Sequence, residues 1–116
     1  MSGRGNYLSG LAAEDAVARD YENRGLSVAA RRWRGSGGEI DLIFRDKTDY
    51  IFVEVKKSRS FDRAAQALSP AQLGRICQTA EEFVASVPGG MTAGMRFDLA
   101  MVDGMGRMTR LENITQ

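Results

Sequence analysis

Apolar residues recur along this chain with two different periods, and the switches between them divide it into elements. In the stretch GLAAEDAVARDYENRG, which is rich in helix formers, Leu11, Val17, Ala18 and Tyr21 fall on one side of a repeat of about 3.6 residues. Asp15, Arg19, Glu22 and Asn23 fall on the other side, and Gly25 is a typical residue just past a helix end. The pattern predicts a first helix over about 9–24, preceded by a flexible, slightly basic tail at 1–8. Alternation then takes over. LSVAARRWR predicts a strand over about 26–33, GSGG at 35–38 a flexible turn, and GGEIDLIF a second strand running to Arg45. In that strand Ile40, Leu42 and Phe44 share one face, leaving Glu39, Asp41 and Ile43 on the other. DKTD at 46–49 has turn chemistry and suits a hairpin loop into a third strand, IFVEVKK at 51–57. There Ile51, Val53 and Val55 face one way, and Phe52, Glu54 and Lys56 the other.

The stretch KKSRSFDRAAQAL reads as a polar, basic, mobile loop with a short helical piece. SPAQ at 69–72 is a helix start, with Ser69 as cap, Pro70 in the first turn and Gln72 closing a capping box. Leu73, Ile76, Ala80, Phe83 and Val84 carry that helix to the PGG at 88–90. MRFDLAMV predicts a fourth strand, DGMG at 103–106 a turn, and RMTRLENI a last edge strand. A helix, three strands, a helix and two strands predict one α/β (α+β) domain over 9–116, a mixed sheet of about five strands flanked by helices.

Three charged positions interrupt these apolar patterns. Glu14 lies on the apolar face of the first helix, and Glu54 and Lys56 are neighbours on one face of an otherwise hydrophobic strand. Burying an unpaired charge costs several kcal/mol or more, so each needs a partner or a cation. Asp41, on the adjacent strand of a tight hairpin, can point to the same face as Glu54 and share an ion with it. Magnesium and manganese prefer oxygen ligands of this kind, and Lys56 would then hold a water or contact a phosphate oxygen. Quieter readings stand beside these. Asp41 suits a strand-end aspartate, Glu54 with Lys56 a solvated ion pair, Glu14 a salt bridge with Arg31 or Arg32, and Glu39 a supporting role.

Composition narrows the chemistry further. The 116 residues include no histidine, which removes histidine-dependent triads, histidine-ligated zinc and a histidine base. The single cysteine, Cys77, lies on a helix beside Ile76 and Ala80 and reads as a core thiol. A lone cysteine and an N-terminus without an apolar signal region lead to the expectation of a cytoplasmic protein without a membrane span. The net charge of +1 makes no global case for nucleic acid. Distribution is more telling, since Arg31, Arg32 and Arg34 precede one motif and Lys56, Lys57, Arg59 and Arg63 end or follow the other.

Glu14 in a helix, GGEIDLIFRD, IFVEVKKSRS and RFDLAMVD at 96–103 together resemble the YraN-like family of bacterial proteins, over about residues 9–114. The resemblance implies the restriction-endonuclease-like fold of the PD-(D/E)xK nuclease superfamily, and a likeness to archaeal Holliday-junction resolvases. By position it implies that Glu14, Asp41, Glu54 and Lys56 are catalytic and that Asp41 and Glu54 bind Mg2+ or Mn2+. Ile40 stands where the superfamily has proline, and Gln72 where much of the family is expected to have lysine. The expected function is a metal-dependent endonuclease acting on branched or structured DNA, for which a symmetric homodimer is reasonable. The alternative is a nucleic-acid-binding or partner-binding module that keeps the fold without cleavage, using Arg31, Arg32, Arg34, Lys57, Arg59 and Arg63.

Overall fold

In a computed structural model, which describes residues 3–115 and side chains from residue 10, the chain forms α1 (Gly3–Asn23), β1 (Ser27–Gly35), β2 (Gly38–Asp46) and β3 (Asp49–Lys57). Then come α2 (Phe61–Gln66), α3 (Pro70–Ser86), a 3-10 turn (Gly90–Thr92), β4 (Met95–Val102) and β5 (Met108–Leu111). The five strands make one sheet in chain order. Every neighbouring pair is antiparallel except β3 and β4, which run parallel. α2 and α3 supply the crossover that a parallel pair requires.

Alternation along β3 sends its apolar side chains to two cores. Ile51 and Val53 pack with Leu42, Phe44, Ala100 and Val102 under Val17, Ala18 and Tyr21 of α1. Tyr50 and Phe52 pack with Ile43 and Phe97 under Ile76, Ala80, Phe83 and Val84 of α3. The helices therefore lie on opposite faces of a mixed sheet, as the pattern predicts.

Several boundaries differ from expectation. α1 begins at Gly3, so residues 3–8 of the expected tail are helical, and residues 1 and 2 lie outside the described residues. Gly3, Gly5 and Gly10 are poor helix formers, but extending an established helix costs far less than nucleating one. The short helical piece expected in the loop after β3 is α2, and it is seated rather than mobile, with Ala64 buried and Phe61 and Ala65 packed against Leu99 and Met101. β5 ends at Leu111, short of the expected RMTRLENI strand.

Ile40 departs from its expected face. It packs with Ile43 and Phe52 on the α3 side, whereas Leu42 and Phe44 lie on the α1 side. The β2–β3 ladder runs from Asp46 opposite Asp49 to Leu42 opposite Val53 and stops there, although β2 stays paired to β1 beyond it. The two strands part at Asp41, and the simple alternation of β2 breaks with them.

α1 is fixed to the sheet by a polar contact as well as by packing. The Tyr21 hydroxyl donates to buried Asp98 on β4 at 2.6 Å, and Asp98 also accepts from Arg96 and from the backbone N–H of Asn113. Tyr21→Phe removes one donor from a buried carboxylate while keeping the ring stacked on Phe44. It is expected to lower unfolding free energy by about 1–3 kcal/mol in urea, with an unchanged m-value.

Candidate functional site

Where β2 and β3 part, the backbone N–H of Val55 donates to Asp41 Oδ2 at 2.8 Å. A side chain thus replaces the next rung of the ladder, and the gap gives both helical layers access to one cleft of about 370 Å³. Gly10, Ala13 and Glu14 of α1 line it, with Glu39 and Asp41 of β2, Glu54 to Lys57 of β3 and Gln72 of α3. The small residues Gly10 and Ala13 keep the α1 wall clear of the acids. All four residues expected to be catalytic, Glu14, Asp41, Glu54 and Lys56, meet in this cleft.

The Asp41 and Glu54 carboxyls face one another there and influence each other's ionisation. Burial raises the Asp41 pKa, against which the Val55 N–H, the Glu54 carboxyl and Lys56 favour its anion. Glu54 is pushed up to about 9, by burial first and then by the Asp41 charge, with Lys56 opposing. Of the two, Asp41 is the better anion and Glu54 holds the proton. Glu54 Oε1 accepts from the Gln72 side chain at 3.4 Å, whereas Glu54 Oε2 is buried and accepts no hydrogen bond. Among the described residues it is the one buried side-chain oxygen or nitrogen in that position.

That orphaned oxygen fits a cation. A magnesium site typically takes one or two carboxylates and fills its remaining positions with water and phosphate oxygens. Among the described residues no group of three or more acidic or thiol side chains is arranged to hold a metal, and the cleft itself offers the two facing carboxyls of Asp41 and Glu54. Glu14 lines the cleft but is held by Arg32, which reaches both its oxygens at 3.1 and 3.3 Å. Burial raises the Glu14 pKa, Arg32 opposes, and the nearby Asp41 and Glu39 charges add to the rise.

Arg32 makes this contact from φ 49, in the left-handed region that favours glycine or asparagine and is strained for a long side chain. The salt bridge weighed for Glu14 thus forms with Arg32. The other arginines of β1 are also matched to acids, Arg31 to Asp15 at 2.7 Å and Arg34 to Glu39 at 3.2 Å. Arg59 and Arg63 have no such ion pair among the described residues.

Gln72 does not close the expected capping box. Its backbone N–H donates to Ser69 Oγ at 3.1 Å, but its amide turns into the cleft to Glu54. Its placement one turn into a capped helix was legible. Its partner was not, because that depends on how α3 seats against β3.

Metal-free stability should report the strain at Glu54. Between pH 4.5 and about 9 the folded protein keeps a proton that the unfolded chain releases, so stability is full below 4.5 and is lost as pH rises through that window. Urea unfolding in a chelator is expected to show that decline. Glu54→Gln, neutral at every pH, should flatten it and exceed the wild type near pH 8 by on the order of 1–3 kcal/mol. A wild type whose stability climbs from pH 5 to 8, in parallel with the variant, would contradict the assignment.

The profile of the uncharacterised protein family UPF0102 matches residues 13–102. The UPF0102 protein of Ruegeria pomeroyi is 52% identical over 111 residues, covering 96% of this chain and 90% of its own. One from Cereibacter sphaeroides is 53% identical over 113 residues, covering 97% of each chain. One from Dinoroseobacter shibae is 56% identical over 108 residues, covering 93% of this chain and 81% of its own. No helix among the described residues is long and apolar enough to cross a membrane.

Proposed function

The chain belongs to the uncharacterised protein family UPF0102, the YraN-like family, and from its cleft we propose a divalent-metal-dependent phosphodiesterase of the PD-(D/E)xK type acting on DNA. The observation that carries this reading is the buried oxygen of Glu54 that accepts no hydrogen bond beside Asp41, in a cleft that also holds Lys56. Burying two facing carboxyls is costly for folding, and such cost is characteristically tolerated at functional sites.

Asp41 and Glu54 would hold Mg2+ or Mn2+, which when bound supplies positive charge against the phosphoryl oxygens and makes water more acidic. Asp41 is fixed for this task by the Val55 N–H, and Glu54 is oriented by Gln72. The Lys56 ammonium, half-buried in the same cleft, orients the attacking water or meets a non-bridging oxygen. Glu14 shapes the field from the α1 side while Arg32 restrains it. Branched or otherwise structured DNA is the proposed substrate, with a homodimer placing two such clefts on a four-way junction.

Cleavage of supercoiled, single-stranded, flap and four-way-junction DNA, with magnesium and then manganese, tests the reading. Metal-dependent cutting of at least one substrate is expected, with Asp41→Ala and Lys56→Ala each reducing the rate on the order of 100-fold or more while the circular dichroism spectrum is retained. Absence of cutting with either metal on every substrate would sink it and leave the fold as a binding module.

A further inference from the structure

The cations around the cleft fall into two groups that sequence alone does not separate. On the β1 side Arg31, Arg32 and Arg34 are each matched to an acid, Asp15, Glu14 and Glu39, so that wall is close to neutral. From the end of β3 onward, residues 56–63 carry four cations, Lys56, Lys57, Arg59 and Arg63, against the single acid Asp62. We propose that a DNA strand leaves the cleft along this second segment, its phosphates on Arg59 and Arg63, and that the β1 arginines serve the protein's own acids. This rests on the reading of the cleft as a site for DNA.

Placement supports the rail. Lys56 and Lys57 line the cleft where β3 ends, and Gln72 lines it where α3 begins, so the intervening segment leaves the cleft at one point and returns to it at another. That segment is anchored. Ser58 N–H donates to the Val102 carbonyl at 3.0 Å, Gly104 N–H to the Arg59 carbonyl at 3.5 Å, and α2 is seated by buried Ala64. Asp62, Arg63 and Gln66 are left on the exposed side of α2. Cations held on a fixed backbone lose less freedom on binding than those of a mobile loop.

Magnitudes favour net charge over pair breaking as the deciding effect. Exposed ion pairs contribute at most about 1 kcal/mol, so Arg31 or Arg34 would exchange partners at little cost. Their acids would stay in place, however, and a matched pair presents almost no field beyond a Debye length of about 8–10 Å. Among the described residues the rail has no such compensation at Arg59 and Arg63.

Fluorescence anisotropy with a labelled four-way DNA junction, in calcium and over a range of salt concentrations, tests the assignment. Three double variants are compared. Arg59→Gln/Arg63→Gln removes the rail, and Arg31→Gln/Asp15→Asn removes one matched pair without changing charge. Arg45→Gln/Lys47→Gln removes the same charge as the rail variant from the exposed end of β2 and the turn after it, at the other end of β3. Each phosphate contact contributes about 0.9 to the slope of log affinity against log salt. The rail variant is therefore expected to lose roughly 2 units of slope and the other two none. Equal loss in the rail and turn variants, loss in the matched-pair variant, or an unchanged rail variant would each overturn the rail while leaving the DNA reading standing. A wild type with no salt-dependent affinity would overturn both.

Discussion

The rest of the site depends on one backbone hydrogen bond that β2 does not make. Where the ladder to β3 would continue past Leu42 and Val53, the Asp41 carboxylate takes the Val55 N–H instead. A buried N–H cannot go unpaired without a cost of about 1–3 kcal/mol, so the strands part only because a side chain answers for the missing carbonyl. The same contact favours the Asp41 anion facing Glu54, against the rise that burial causes, and opens a path between the two helical layers. Glu14 enters from α1 and Gln72 from α3. In an unbroken sheet those layers would be separated by the strands.

This geometry makes the site costly to the fold without a cation. Burial and the Asp41 charge push the Glu54 carboxyl toward its protonated form, and one of its oxygens accepts no hydrogen bond among the described residues. Hydrophobic packing on both faces of β3 supplies the stability that tolerates this, through Ile51 and Val53 on one side and Tyr50 and Phe52 on the other. The Tyr21–Asp98 contact holds α1 in place, so Glu14 is presented to the cleft by a fixed helix. Its distance from the acid pair is then governed by Arg32, from a backbone conformation that an arginine adopts at some expense.

Periodicity made the layers legible. Val17, Ala18 and Tyr21 mark the buried side of α1, the alternation in β3 separates Val53 from Glu54, and MRFDLAMV matches β4 residue for residue. Convergence of Asp41, Glu54 and Lys56 followed from hairpin pairing together with the family resemblance. What stayed hidden depends on contacts between distant segments. Arg31, Arg32 and Arg34 read as one basic cluster, yet each meets an acid brought by α1 or by the facing strand. Ile40 changed faces because a strand departure has no local signature in alternating residues. The Gln72 amide had two partners within its chemistry, and only the seating of α3 chooses Glu54 over the cap. The helical start at Gly3 runs against local propensity and draws on the helix already formed beyond it.

On the proposed reading, a cation relieves a buried acid pair that destabilises the metal-free fold, and this makes a specific thermodynamic demand. Urea unfolding of the wild type and of Glu54→Gln near pH 8, each with and without millimolar manganese, measures it directly. A ligand that binds only the folded state adds about 2.7 kcal/mol at a hundredfold excess over its dissociation constant. The account predicts a manganese-dependent rise for the wild type and little or none for the variant. Equal response of the two proteins, or no response of a folded wild type, would contradict it.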